Sequence, residues 1–142
     1  MMQILILNGP NLNLLGLRQP EIYGFDDFDA FLEKIKHENQ NVNIDYFQSN
    51  IEGELVNKLH EYGFNNTSII FNPGGYSHYS VALLDAMKSI QSPVIEVHIS
   101  NIHDREEFRQ LSMTAKGAIG CSSGLGLNGY QLAIDYFLKY FN

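Results

Sequence analysis

Gln3-Ile4-Leu5-Ile6-Leu7, closed by Asn8-Gly9-Pro10-Asn11, is an apolar run of strand length that stops at a loop-forming sequence. Runs of the same kind recur at about residues 42–48, 67–71, 93–97 and 117–121. Between and after them lie stretches of helical periodicity near 27–38, 51–62, 78–90, 105–113 and 128–140, which makes five β-α units. Strands that alternate with helices pair in parallel through right-handed crossovers. The simplest architecture is therefore an α/β, flavodoxin-like, doubly wound sheet of five parallel strands in the order 2-1-3-4-5.

Helix starts are marked by caps. Ser49 with Glu52 and Asp104 with Glu107 have capping-box spacing, and Asp26 or Asp27 can accept the free amide hydrogens of the first helix. The 142 residues fall in the size range of one domain, and no internal repeat or linker interrupts them, so residues 1–142 are expected to form a single domain. In a sheet of this kind ligands bind beyond the carboxyl ends of the strands. The loops there are Asn8-Gly9-Pro10-Asn11, Asn72-Pro73-Gly74-Gly75 and His98-Ile99-Ser100-Asn101.

Composition narrows the function. Hydrophobic residues make up 44% and charged residues 18%, as in an ordinary globular protein. A net charge of −7 without any Lys/Arg cluster argues against nucleic acid as a partner, because that binding neutralises many phosphates. No apolar run is long enough to span a bilayer, and Met1 leads into the first strand without a basic region or cleavage site, so a cytoplasmic protein is expected. The single cysteine, Cys121, reads as a buried strand residue, since it has no partner for a disulfide and no clustered ligands for zinc. His37, His60 and His103 lack metal-ligand spacing, and no metal is expected. Gly124-Leu125-Gly126-Leu127-Asn128-Gly129 matches a dinucleotide fingerprint only superficially, because no β-α-β unit with an acidic ribose ligand follows it.

The connection from Asn8 to Gly24 is long for a β-α loop, and a lid at about 12–24 is expected there. It carries a fixed positive charge, Arg18, and a titratable phenol, Tyr23. Alone, Tyr23 reads as a packed surface aromatic. Beside a partly desolvated guanidinium, its phenol becomes a candidate base. His98 ends an apolar strand at the expected crevice, with Glu96 two residues earlier on the same strand face, where it can orient or charge the imidazole. The bland reading is a hydrogen-bonded structural histidine beside a surface carboxylate. His78 and Asp85, seven positions apart, are expected to share one face of the third helix. Arg109 either closes over an anion or pairs with neighbouring helix carboxylates.

Leu7-Asn8-Gly9-Pro10-Asn11-Leu12, then Leu15-Gly16, Arg18-Gln19-Pro20 and Tyr23-Gly24, resemble the signature of the type II 3-dehydroquinate dehydratases. The resemblance continues through Gln48-Ser49-Asn50, Asn72-Pro73-Gly74-Gly75-Tyr76-Ser77-His78, Glu96-Val97-His98-Ile99-Ser100-Asn101, Arg105-Glu106-Glu107-Phe108-Arg109, Gly124-Leu125-Gly126 and Gly129-Tyr130. It implies dehydration of 3-dehydroquinate to 3-dehydroshikimate in the shikimate pathway, without a cofactor. It also implies that Tyr23 is the base, Arg18 promotes its ionisation, Asn11 holds a water at the enolate oxygen, His98 is the acid and Glu96 supports His98. Asn72, His78, Ile99, Ser100 and Arg109 are implied to bind substrate, with Asp85 entering from a neighbouring subunit of a dodecamer built from trimers.

Two stretches depart from the family pattern. Asp26-Asp27 replaces a Thr-rich stretch, and Ser122-Ser123 is expected to interrupt the fifth strand. Two other classes compete with the resemblance. A Schiff-base dehydratase needs a desolvated lysine, whereas the lysines here fall on helix faces or in a loop. A flavodoxin-like ligand-binding or signalling module without catalysis shares the fold but does not account for the clustered motifs.

Overall fold

The computed structural model describes residues 1–17 and 27–142. Its strands are β1 (Met2–Asn8), β2 (Val42–Gln48), β3 (Ser68–Asn72), β4 (Val94–His98) and β5 (Gly120–Ser123). All neighbours pair in parallel, in the order β2-β1-β3-β4-β5. Among the described residues, four α-helices accompany them: α1 (Phe28–Glu38), α2 (Glu52–Tyr62), α3 (Val81–Ser89) and α4 (Asn128–Tyr140).

The sheet is covered on both faces, which is why its inner strands read as unbroken apolar runs. In β1 the alternation of a strand sends Ile4 and Ile6 to one core, with Phe28, Leu32 and Ile35 of α1 and Ile134 and Phe137 of α4. Leu5 and Leu7 enter the other, with Leu55 and Leu59 of α2 and Leu83 and Met87 of α3. The same period divides β4: Val94 joins the α2/α3 side, while Ile95 and Val97 join the α1/α4 side. Glu96 and His98 therefore stand on the face of Val94.

Several local expectations need correction. No α-helix forms over 105–113. Three 3-10 turns, Ile102–Asp104, Glu107–Arg109 and Thr114–Gly117, connect β4 to β5 instead. The large apolar residues in 105–111 are Phe108 and Leu111, both exposed, so a helix there would have no face to bury. Asp104 and Glu107 consequently fall in separate turns and form no capping box. The third helix begins at Val81 rather than 78, capped by Ser80, whose Oγ accepts from Leu83 N at 3.0 Å. Ser80 Oγ also donates to Glu52 Oε2 at 2.6 Å, and this takes Glu52 away from the capping box expected with Ser49. Ser49 instead accepts from Ile51 N at 2.9 Å and donates to Glu54 Oε1 at 2.5 Å. Asp27 does cap α1, accepting from Ala30 N at 2.7 Å.

The fifth strand lies later than expected and includes Ser122 and Ser123 rather than being interrupted by them. Ser123 Oγ accepts from Ile102 N at 3.1 Å and donates to Ser100 O at 3.2 Å, so its hydroxyl ties the strand end to the loop after β4. Cys121 is in this strand but exposed, because β5 forms the sheet's edge. Among the described residues no helix is long and apolar enough to cross a membrane.

Candidate active site

The carboxyl ends of β1, β3 and β4 open into a crevice of about 310 Å³. Asn11, Asn72, His78, His98, Ile99, Ser100 and Arg109 line it together, joined by Pro10, Tyr76, Tyr79 and Arg105. Asp85 does not line it. It is an exposed residue of α3, and His78 sits in the 3-10 turn Gly74–His78 ahead of that helix, so the seven-residue spacing does not place the two on one helical face. Arg18 and Tyr23 lie outside the described residues, as does most of the expected lid. Its described start holds Leu12 and Leu15, both buried in the α1/α4 core.

The loop after β1 is held by polar contacts from two other strands. Gly9 N donates to Asn72 O at 2.7 Å, and a Cβ on Gly9 would lie 2.4 Å from Pro73 O, so only glycine lets these loops approach. Asn11 has φ 68°, a left-handed conformation that asparagine tolerates. Asn50 Oδ1 accepts from Asn11 N at 3.0 Å and from Gln48 Nε2 at 3.2 Å, and Tyr76 Oη donates to Asn50 O at 2.7 Å. Gln48-Ser49-Asn50 thus braces the loop that presents Asn11.

A buried chain of side chains fixes Asn72. Tyr130 Oη accepts from Asn72 Nδ2 at 3.0 Å and donates to Asn8 Oδ1 at 2.8 Å, while Asn72 Oδ1 accepts from Gly74 N at 3.1 Å. Burial pushes the Tyr130 phenol well above its ordinary range, outweighing the lowering by its hydrogen bonds with Asn72 and Asn8, so the group stays protonated. Tyr130→Phe would leave two buried amide groups without that partner. It is expected to cost about 1–3 kcal/mol, read as a lower urea midpoint with an unchanged slope. An unaltered midpoint would show that the hydroxyl is dispensable.

Glu96 is fully buried and His98 nearly so. His98 Nε2 lies 2.6 Å from Glu96 Oε2. Ser112 donates to the same oxygen at 2.5 Å, and Thr114 donates to Oε1. With Nε2–H directed at Glu96, Nδ1 is the ring nitrogen left for the crevice. The ligand atoms of Glu96, His98 and Cys121 lie within 4.8 Å of one another, a donor set that suits zinc. The carboxylate, however, already accepts from Ser112, Thr114 and His98. Although the residue is exposed at the sheet's edge, desolvation of its sulfur, reinforced by Glu96, pushes the Cys121 thiol up to about 11. These are features of a proton-bearing network rather than of a prepared metal site.

His78 differs from His98. Its Nδ1 lies 2.8 Å from Leu111 O. Partial burial holds its pKa below the usual histidine range, against the raising effect of that hydrogen bond and with further lowering by His98, Arg109 and Arg105. At neutral pH it is therefore a neutral ring whose Nε2 can accept from a hydroxyl. Arg109 Nε lies 2.9 Å from Glu106 Oε2, but Glu106 is exposed and the N–H is not well aimed, so the pair does little to hold the guanidinium. Past His98 the chain turns at Gly124-Leu125-Gly126, whose amides at Gly124 and Gly126 donate to His98 O at 3.2 Å and Ile99 O at 3.0 Å. Gly124 has φ 85°, and a Cβ there would lie 2.9 Å from Asn101 Cβ. The sequence pattern flagged these glycines and Tyr130 as motif members without a role. The structure makes them supports of the crevice wall.

A doubly wound parallel sheet with a buried histidine–carboxylate pair at the carboxyl edge, facing arginine and amide groups, defines a flavodoxin-like α/β protein built for acid–base chemistry on a small polar anion. Within that class the chain belongs to the class II dehydroquinases: the family model described as "Dehydroquinase class II" matches residues 2–138. It is 50% identical over 141 residues to a 3-dehydroquinate dehydratase of Clostridium botulinum (strain Hall), covering 98% of this chain and 96% of that protein. The crystal structure of type II dehydroquinase from Butyrivibrio crossotus superposes with a TM-score of 0.93 at 44% identity, covering 96% of this chain and 97% of that one. That from Propionibacterium acnes gives 0.93 at 37% identity, covering 98% and 97%.

Proposed function

We propose that this chain is a hydro-lyase that dehydrates 3-dehydroquinate to 3-dehydroshikimate in the shikimate pathway. The observation that carries the reading is the buried Glu96–His98 pair opening on a crevice lined by Asn72, His78 and Arg109, in a chain of the class II dehydroquinase family. Elimination needs a base for the carbon-bound proton, a stabiliser for the enolate and an acid for the departing hydroxyl. Tyr23, made acidic by Arg18, takes the proton from the carbon beside the ketone, and the electron pair moves onto the ketone oxygen. Asn11 steadies that oxygen through a water. As the enolate collapses the C–O bond breaks, a C=C bond forms, and His98 gives its proton to the hydroxyl, which leaves as water.

Arg109 and the backbone of Ile99 and Ser100 take the substrate carboxylate, while Asn72 and neutral His78 take its hydroxyls. Asp85, exposed on α3 and away from the crevice of its own chain, reaches the site of a neighbouring copy in a dodecamer built from trimers. Residues 1–142 act as one catalytic domain in the cytoplasm, with the segment 12–24 as the lid.

The test is direct. The product is a conjugated enone and the substrate is not, so incubation with 3-dehydroquinate should raise the ultraviolet absorbance in proportion to enzyme. A flat trace from folded protein that still binds the compound would overturn the reading in favour of a binding module.

A further inference from the structure

We propose that Ser112 and Thr114 are positioning residues of the dehydration, fixing Glu96 so that His98 presents Nδ1 to the crevice. The inference rests on the dehydratase reading in one respect, that His98 is the acid. The period of β4 places Glu96 and His98 on one face but does not fix the carboxylate's rotation, because a glutamate has three free side-chain torsions. The two hydroxyls supply what the strand cannot. Thr114, itself fully buried, donates to Oε1, and Ser112 donates to Oε2, the oxygen that His98 also engages. A buried carboxylate lacking such donors would be costly to desolvate, and here each oxygen has one.

The donors are themselves held in place. Met113 N donates to Ser77 O at 2.7 Å, and Ala115 N donates to Ser112 Oγ at 3.2 Å. Gly117, ending the Thr114–Gly117 turn, packs so closely on α3 that a Cβ there would lie 2.8 Å from Met87 Cβ. Leu111 O meets His78 Nδ1 at 2.8 Å. The four residues 111–114 therefore set the orientation of both crevice histidines. This is a use for the irregular segment between β4 and β5 that a regular helix would not provide.

The experiment compares Thr114→Val, Ser112→Ala and the double variant with wild type by ultraviolet turnover and by NMR of the His98 ring in protein labelled with ¹⁵N-histidine. Thr114→Val keeps the shape and removes the donor. The double variant is expected to lose kcat by roughly 10- to 100-fold with KM little changed, since a catalytic group is misaligned while the substrate contacts remain. His98 ring signals should shift in the same variants, and Thr114→Ser, which keeps a hydroxyl, should recover most of the rate. Ser112 is half-buried, so Ser112→Ala carries the test if Thr114→Val does not fold. Folded variants with wild-type kcat and unmoved ring signals would overturn the positioning role. Wild-type protein that makes no product would sink the dehydratase reading instead, and the ring signals alone would then decide the role of the hydroxyls.

Discussion

His98→Ala is expected to lower kcat by about 10²- to 10⁴-fold while leaving KM much nearer the wild-type value, because it removes the proton donor for the departing hydroxyl. The structure separates this from the effect of the second crevice histidine. His78 is kept neutral at working pH by burial and by its cationic neighbours, so His78→Ala should act mainly on KM. Nor should the loss in His98→Ala come from unfolding. Glu96 keeps its contacts with Ser112 and Thr114 when the imidazole is gone, and His98 sits at the end of β4 rather than in the middle of a core. Steady-state kinetics beside a thermal melt would check both points. A folded His98→Ala enzyme with a near-normal rate would remove His98 from the acid role.

The strand order was legible because its cause is local. Runs such as Ile4–Leu7 and Ile69–Phe71 are apolar on both faces, and only a sheet covered on both sides buries them. Period-two spacing likewise puts Glu96 beside His98. The errors fall where burial, not pattern, decides. Residues 105–113 have the composition of a helix, yet Phe108 and Leu111 find nothing to pack against, and the chain forms turns. Cys121 looked like a core residue because its strand was taken as covered on both faces like the inner ones, although the order 2-1-3-4-5 puts that strand at the sheet's edge. Ser122-Ser123 looked like a break, although Ser123 serves two backbone partners.

The site shows the same division. The residues lining the crevice come from loops at strand ends, and those loops are marked by Asn, Gly and Pro. Their supports reach across long stretches of chain: Tyr130 to Asn72, Asn50 to Asn11, Thr114 to Glu96. No periodicity encodes a hydrogen bond between residues so far apart, and a serine or threonine in an irregular segment carries no signature of the carboxylate it will hold. Motif resemblance marked Tyr130 and Asn50 as worth watching without saying why. It did not reach Ser112 or Thr114.

Tyr23→Phe is expected to abolish the proton abstraction, lowering kcat by about 10²- to 10⁴-fold with the fold intact, since the change deletes one oxygen and keeps the ring. The companion variant distinguishes a base from a mere contact. A phenol ordinarily titrates near pH 10, and bringing its ionisation down by about two units takes roughly 2.7 kcal/mol of preferential stabilisation of the phenolate. If Arg18 supplies that, Arg18→Ala should lose a comparable factor, about 10²-fold, at neutral pH. The sign of the pH response then follows. A lowered phenol pKa favours the charged form, so removing the guanidinium moves ionisation upward, and the residual rate of Arg18→Ala should climb as pH rises towards 10, where wild-type turnover has already levelled off. Tyr23→Phe, with no proton to lose, should show no such recovery. An Arg18→Ala enzyme whose deficit is the same at every pH would show that the arginine binds substrate and does not tune the base.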